Sequence, residues 1–331
     1  GLAEQLHCVN VCFLDFSRNA PINMVSKNIT KFIVKGLVNA PCLPCKANGE
    51  INLTRVPAYI GHLQEYGIPN VFVTGTMGEG MNMSVPERKD LLQSWVSEGK
   101  GKLSSIIAHI GAGNIKDSQE LARHAEQVGA DAVSCVGPVF HKPQTVDDYV
   151  CYMKEVAEAA PSLPFYFYDF QAQTGINIIA SDFIRAAKDK IPTLRGLKHT
   201  TPNFVSMHSI LQDHGDRFQI IMGGEEIFLE GLALGIETTV TPSFIYGKIL
   251  NRLKTAFDAG DMVTARQEQE RVLKLSRIPQ KYGLSGITGT KATIEALFGL
   301  GLGQPRCPIT PYPEEVLSKI RRDFEEAGFY D

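Results

Sequence analysis

Short apolar runs recur along this chain, separated by longer stretches in which apolar positions return every three or four residues. The runs fall at 33–39, 70–75, 105–110, 131–136, 164–168, 194–198, 218–223 and 237–241. Their length and their β-branched and aromatic content read as strands buried on both faces. Helical periodicity fills the gaps over Val56–Leu63, Ser84–Val96, Asp117–Val128 and Val146–Ala159. Ser84 with Glu87 three residues on, and Pro86 in the first turn, is a strong helix start. Helical crossovers force parallel pairing, and eight strand–helix units spaced by about twenty-five to thirty-five residues predict an α/β fold, a (β/α)8 TIM barrel over residues 33–243.

The ends of the chain break this rhythm. Residues 1–32 lack a clear period and read as an appendage; the patch from Cys8 to Phe16 is interrupted by Asn10 and Asp15 and has no basic stretch before it, so it does not read as an export signal. Residues 244–331 hold more helix than a closing unit needs: Tyr246–Ala259, Met262–Ser276, Thr288–Phe298 and Pro313–Glu326, with a glycine-rich run at 299–305 between the last two. They read as a C-terminal helical extension packed on the barrel.

Composition narrows the class without naming a chemistry. A chain of 331 residues, 44 % hydrophobic and with a formal charge of −3, can bury a large core and carries no electrostatic footprint for nucleic acid. No apolar run is long enough to span a bilayer. Seven cysteines, at 8, 12, 42, 45, 135, 151 and 307, are scattered, and Cys42-Leu43-Pro44-Cys45 stands without a second ligand pair, so reduced thiols in a cytoplasmic protein fit better than a metal or redox centre. No metal site is expected.

Three stretches carry candidate chemistry. Leu194-Arg195-Gly196-Leu197-Lys198-His199-Thr200 ends a buried run on a lysine; a buried strand end would strip water from the ammonium and favour a nucleophilic amine, although such lysines ordinarily snorkel to solvent. Pro164-Phe165-Tyr166-Phe167-Tyr168-Asp169 alternates aromatics and ends near a phenol, which as a plain core aromatic would need only a partner for its hydroxyl. Val71-Phe72-Val73-Thr74-Gly75-Thr76-Met77-Gly78-Glu79-Gly80 passes from a strand into a glycine loop whose backbone N–H groups could hold a carboxylate. In a barrel these strand ends share one face. His199 points away from Lys198 by strand alternation and reads as structural; His109 and His141 lack ligand partners and receive no role.

Together the Gly-Thr-Met-Gly-Glu-Gly loop, Tyr168 with Gln173-Thr174-Gly175 after it, and Gly196-Leu197-Lys198 resemble the superfamily of N-acetylneuraminate lyases and dihydrodipicolinate synthases, pyruvate-dependent class I aldolases. The resemblance runs from about Lys35 to Arg322 and includes Gly289-Thr290-Lys291-Ala292 and Gln304-Pro305-Arg306. It implies that Lys198 forms a Schiff base, that Tyr168 shuttles protons, and that Gly75, Thr76, Met77 and Gly78 cradle the pyruvoyl carboxylate. It implies no cofactor beyond the covalent imine, small-molecule partners (a sialic acid, N-acetylmannosamine and pyruvate), and a homotetramer.

Within the superfamily the chain resembles the lyase branch, including its animal members at Pro138-Val139-Phe140-His141-Lys142-Pro143. The synthases carry an arginine where Gln173 stands and a relay tyrosine where Phe140 stands. Gly223-Gly224-Glu225-Glu226 resembles the pair of carboxylates that binds the polyol tail in lyases, with Glu225 in place of the usual Asp; Thr200 and Ser243 correspond to further sugar-side residues. The ordinary alternative for Glu225 and Glu226 is a favourable place at a helix N-terminus. Three departures stand out: Met77 replaces a hydroxyl residue, Pro242 removes a hydroxyl and a backbone N–H in Thr241-Pro242-Ser243-Phe244, and Phe170-Gln171 replaces Ile-Pro. Losing one charge-assisted hydrogen bond costs about 1.5–3 kcal/mol, enough to shift sugar preference. The implied function is reversible cleavage of a sialic acid; the alternatives are another pyruvate aldolase or a sialic-acid-binding barrel with little turnover.

Overall fold

Eight parallel strands close in chain order: β1 (Val38–Asn39), β2 (Asn70–Val73), β3 (Ser105–His109), β4 (Ala132–Val136), β5 (Phe165–Asp169), β6 (Leu194–His199), β7 (Gln219–Gly223) and β8 (Thr239–Thr241), with β1 bonded to β8. The computed structural model describes residues 27–330, so the patch at 8–16 lies outside the described residues. The run at 33–39 pairs over only its last two residues. Upstream of them side chains replace the ladder: Gln219 accepts from Val34 N–H at 3.0 Å and donates to Val34 C=O at 2.7 Å, and Thr238 donates to the same carbonyl at 3.1 Å.

Alternation sorts each strand between two cores. Val38, Phe72, Ile107, Tyr166, Tyr168, Ile221 and Val240 fill the barrel interior, while Phe165, Phe167, Leu197 and Met222 face the helical layer. This is the packed interior expected of eight strands, with no room for a pore.

The described helices are α1 (Lys27–Lys31), α2 (Val56–Glu65), α3 (Val85–Gly99), α4 (Ile115–Val128), α5 (Val146–Ala157), α6 (Gln171–Thr174), α7 (Ala180–Ala187), α8 (Phe204–His214), α9 (Phe228–Leu234), α10 (Gly247–Asp258), α11 (Met262–Ser276), α12 (Gly286–Phe298) and α13 (Val316–Glu326). Their starts follow local chemistry. Ser84 and Glu87 form the expected reciprocal cap on α3, and Thr145 with Asp148 repeats it on α5. Asn114 caps α4, and Gly129 ends it in the left-handed conformation.

α10 reaches back to the turn after α2, where Asn251 Nδ2 donates to Gly67 C=O at 2.9 Å. α11 packs along α10 and α13 along α12. α12 is the most enclosed of these: Thr288, Gly289, Lys291, Ala292, Thr293, Ile294, Ala296 and Leu297 are all buried. A helix apolar nearly all round is seated in a core, and one lysine on it requires a partner.

Candidate active site

After β2 the chain turns sharply at Thr74, whose φ of 58° is unusual for a β-branched residue. Neighbouring groups hold it there. Thr74 Oγ1 donates to His109 C=O at 2.9 Å, and His109 Nδ1 donates to Thr74 C=O at 2.9 Å. Arg88, buried on α3, donates to the carbonyls of His109 and Gly111 at 2.6 and 2.7 Å. Burial, then the Arg88 charge, pushes the His109 imidazole down to about 3, so it stays neutral and donates through one nitrogen.

The following turn uses some of its donors and leaves others open. Glu79 N–H bonds to Thr76 C=O and Gly80 N–H to Gly75 C=O, both at 3.0 Å. A Cβ at Gly80 would lie 1.8 Å from Thr74 O, so no other residue fits that closure. Among the described residues the N–H groups of Thr76, Met77 and Gly78 have no hydrogen-bond partner. Three open amides in one tight loop are an anion-binding concavity. The Met77 side chain is half-buried against both cores.

Lys198 and Tyr168 stand opposite each other on β6 and β5. Lys198 is 6 % exposed; its Nζ lies 3.8 Å from the Tyr168 ring centroid and 5.1 Å from that of Phe72, and donates to Thr200 Oγ1 at 3.1 Å. Among the described residues no carboxylate lies within 4.0 Å of that amine. Tyr168 Oη and Thr76 Oγ1 are 3.1 Å apart. Lysine, phenol and open-amide loop thus form one continuous arrangement.

Glu225 and Glu226 divide in a way their adjacency hides. Glu225 is 2 % exposed with Oε2 unpartnered, and burial, then the charge of Glu226, pushes its carboxyl well above the usual range; Glu226 is exposed. A 3-10 turn at Glu225–Ile227 and only the short α9 follow, so a long helix dipole is not what holds the pair. Ser243 is buried with its Oγ unpartnered. Both residues line a cleft that Met77, Glu226, Pro242 and Tyr246 also line, bounded on its far side by Ser285 and Thr290 of the extension. Lys198 and Tyr168 do not reach this wall. A Cβ on Gly223 would come within 2.1 Å of Thr200 Oγ1, so glycine there lets β7 approach the lysine's partner.

Other sequence readings resolve around this centre. His199 faces outward, its Nδ1 2.8 Å from Asp169 Oδ2 in a buried pair, tying β5 to β6 one residue beyond Tyr168 and Lys198. Phe140 is 84 % exposed and stacks edge-on with His141. Cys42 and Cys45 are buried, and burial pushes the Cys42 thiol up to about 12, which disfavours a reactive thiolate. His109, given no role from sequence, holds the Thr74 turn and packs its ring 5.7 Å from that of Tyr168. Glu79 was also unassigned; Lys291 was the available signal, a charge among Thr288, Ala292, Ile294 and Ala296 on one helix.

The family model described as the dihydrodipicolinate synthetase family matches residues 33–327. The N-acetylneuraminate lyase of Mus musculus is 36 % identical over 299 residues, which cover 89 % of this chain and 93 % of that protein. Its Homo sapiens counterpart is 37 % identical over 298 residues, 89 % of this chain and 90 % of that protein. The solved Proteus mirabilis N-acetylneuraminate lyase is similar with a TM-score of 0.84 and 33 % identity, over 89 % of this chain and 99 % of that one.

Proposed function

This chain belongs to the dihydrodipicolinate synthetase family, and within it we propose that it is a class I lyase cleaving N-acetylneuraminate reversibly to N-acetylmannosamine and pyruvate. The observation that supports this best is a buried lysine, free of a carboxylate partner among the described residues, over the ring of a phenol bonded to the open-amide loop. The similarity to lyases from animals and bacteria supports the substrate.

The Lys198 amine attacks the ketone carbon of the open-chain sugar acid; Tyr168 gives its proton to the departing hydroxyl, which leaves as water, so that an iminium on Lys198 and a phenolate at Tyr168 remain. The substrate carboxylate rests on the N–H groups of Thr76, Met77 and Gly78. Tyr168 takes the proton of the C4 hydroxyl; the C3–C4 bond breaks, its electron pair passes to the iminium, and N-acetylmannosamine leaves as the aldehyde. Tyr168 returns the proton to C3 of the enamine, and water releases pyruvate from Lys198. No redox equivalent enters or leaves, so the imine on Lys198 is the only electron sink required. Thr200 keeps the amine directed, and Glu225, Glu226 and Ser243 offer hydrogen-bonding partners to the polyol. Family resemblance supports a cytoplasmic homotetramer; among the described residues no helix is long and apolar enough to cross a membrane.

Met77, Glu225 and Pro242 on the cleft favour one second reading, an aldolase of the same mechanism with another preferred sugar. The test is pyruvate release from N-acetylneuraminate by wild type and Lys198→Ala. Release by wild type alone is expected. Pyruvate trapping by borohydride without release from N-acetylneuraminate would move the substrate to another sugar, and absence of trapping would leave only a binding barrel.

A further inference from the structure

Glu79 adopts the left-handed conformation, φ 52°, at the far end of the open-amide turn. Its side chain is fully buried and meets Lys291 of α12, also fully buried, with Oε1 2.9 Å from Nζ. Its other oxygen accepts from Arg306 N–H at 2.9 Å, and Lys291 donates to Gln304 C=O at 3.1 Å. Arg306 then grips the same region from outside, through both oxygens of Glu87 and the carbonyls of Gly49 and Asn82. Both of these side-chain partners of Glu79 belong to the C-terminal extension.

A buried pair is not needed to fill this volume, since two charges taken out of water recover their solvation only when geometry and extra hydrogen bonds are good. What such a pair supplies beyond apolar filling is direction. Glu79 is also the residue whose N–H closes the turn on Thr76 C=O, so a shift of its backbone moves the open amides of 76–78 and the Thr76 hydroxyl set against Tyr168.

We propose that the Glu79–Lys291 pair is the latch by which the C-terminal extension sets the position of the carboxylate-holding loop, with both side chains acting as positioning residues. The inference rests on the reading of that loop as the pyruvoyl carboxylate site. It gives α12 a part in substrate binding although Lys291 touches no substrate.

The test compares wild type, Glu79→Gln, Lys291→Met, the double variant, and Lys281→Ala. The last breaks an exposed 3.2 Å ion pair to Asp323 within the extension, away from the loop. Two quantities are read: the pyruvate concentration giving half-maximal borohydride trapping, and amide hydrogen exchange in residues 74–80. Each single variant leaves a buried charge unpaired and is expected to melt lower; the double variant removes both charges and recovers melting temperature. Binding does not recover with it. Half-saturation of the double variant stays about ten- to a hundredfold above wild type, with faster exchange at 74–80, while Lys281→Ala changes neither. A double variant that traps pyruvate at the wild-type concentration with unaltered exchange overturns the latch. If wild type traps no pyruvate, the functional reading fails, and exchange at 74–80 alone decides the latch.

Discussion

Tyr168 stands opposite Lys198 because Arg195 is an extra residue in the ladder between β5 and β6. Phe165 pairs with Leu194 but Tyr166 pairs with Gly196, so the register advances by one within the bulge. Leu194 and Leu197, three residues apart, consequently both face the helical layer, and Lys198 turns inward to the phenol. Gly196 is required beside the bulge, as a Cβ there would lie 1.9 Å from Gln219 O. A one-residue slip would send every later side chain of β6 to the other face.

The bulge can be tested apart from the Arg195 side chain, which donates to Phe32 and Arg217 carbonyls. Arg195→Ala keeps the extra residue; it should lose about 1–3 kcal/mol of stability and still be labelled at Lys198 by pyruvate and borohydride. Deleting Arg195 should abolish labelling in whatever protein folds. Mass spectrometry of the labelled peptide decides, and labelling in the deletion variant would contradict the register argument.

Tyr168→Phe removes the hydroxyl beside Thr76 while leaving the ring under Lys198 Nζ. The expected loss in kcat is roughly 10²–10⁴-fold, the usual worth of a positioned acid or base, with imine trapping retained. Turnover at the wild-type rate would take Tyr168 out of the proton transfers.

Two buried groups tilt stability with pH in opposite directions. Glu225 is held above its ordinary 4.5, so above that value the folded state keeps a proton that the unfolded chain has released, and stability falls as pH rises toward the folded pKa. His109 is held down at about 3 from 6.5, so the unfolded chain takes up a proton first and stability falls as pH drops from 6.5 toward 3. Glu225→Gln should flatten the high-pH side of a melting-temperature profile, and His109→Asn the low-pH side. A profile unchanged by either substitution would remove that residue from the balance.

Met77→Thr restores a hydroxyl to the carboxylate loop. KM for pyruvate and for N-acetylneuraminate, which share that carboxylate, should both fall by about three- to thirtyfold, with little change in kcat, the pattern of uniform binding. Unchanged or higher values for both would mean that the contacts of Met77 with the two cores hold the loop in shape.

The strands and Lys198 were legible because each announces itself locally: a run buried on both faces has few polar positions, and a lysine closing it is conspicuous. The β5–β6 bulge was not, since nothing in Leu194-Arg195-Gly196 tells a bulged ladder from a regular one without its partner strand. Glu225 and Glu226 looked equivalent because adjacency does not show which carboxylate turns inward. Glu79 was readable as a motif residue but not as a partner of Lys291, because that contact joins the second strand's loop to the extension.

On the proposed reading the open N–H groups of Thr76, Met77 and Gly78 select for charge and little else, since backbone donors carry no side-chain shape. Any short carboxylic acid meets that requirement, whereas only one with a carbonyl beside the acid group can go on to react with Lys198. On that reading selection for a 2-keto acid divides in two: the loop admits the anion, and the lysine commits only those that bear a ketone. Simple acids are then expected to occupy the entrance reversibly and leave unchanged.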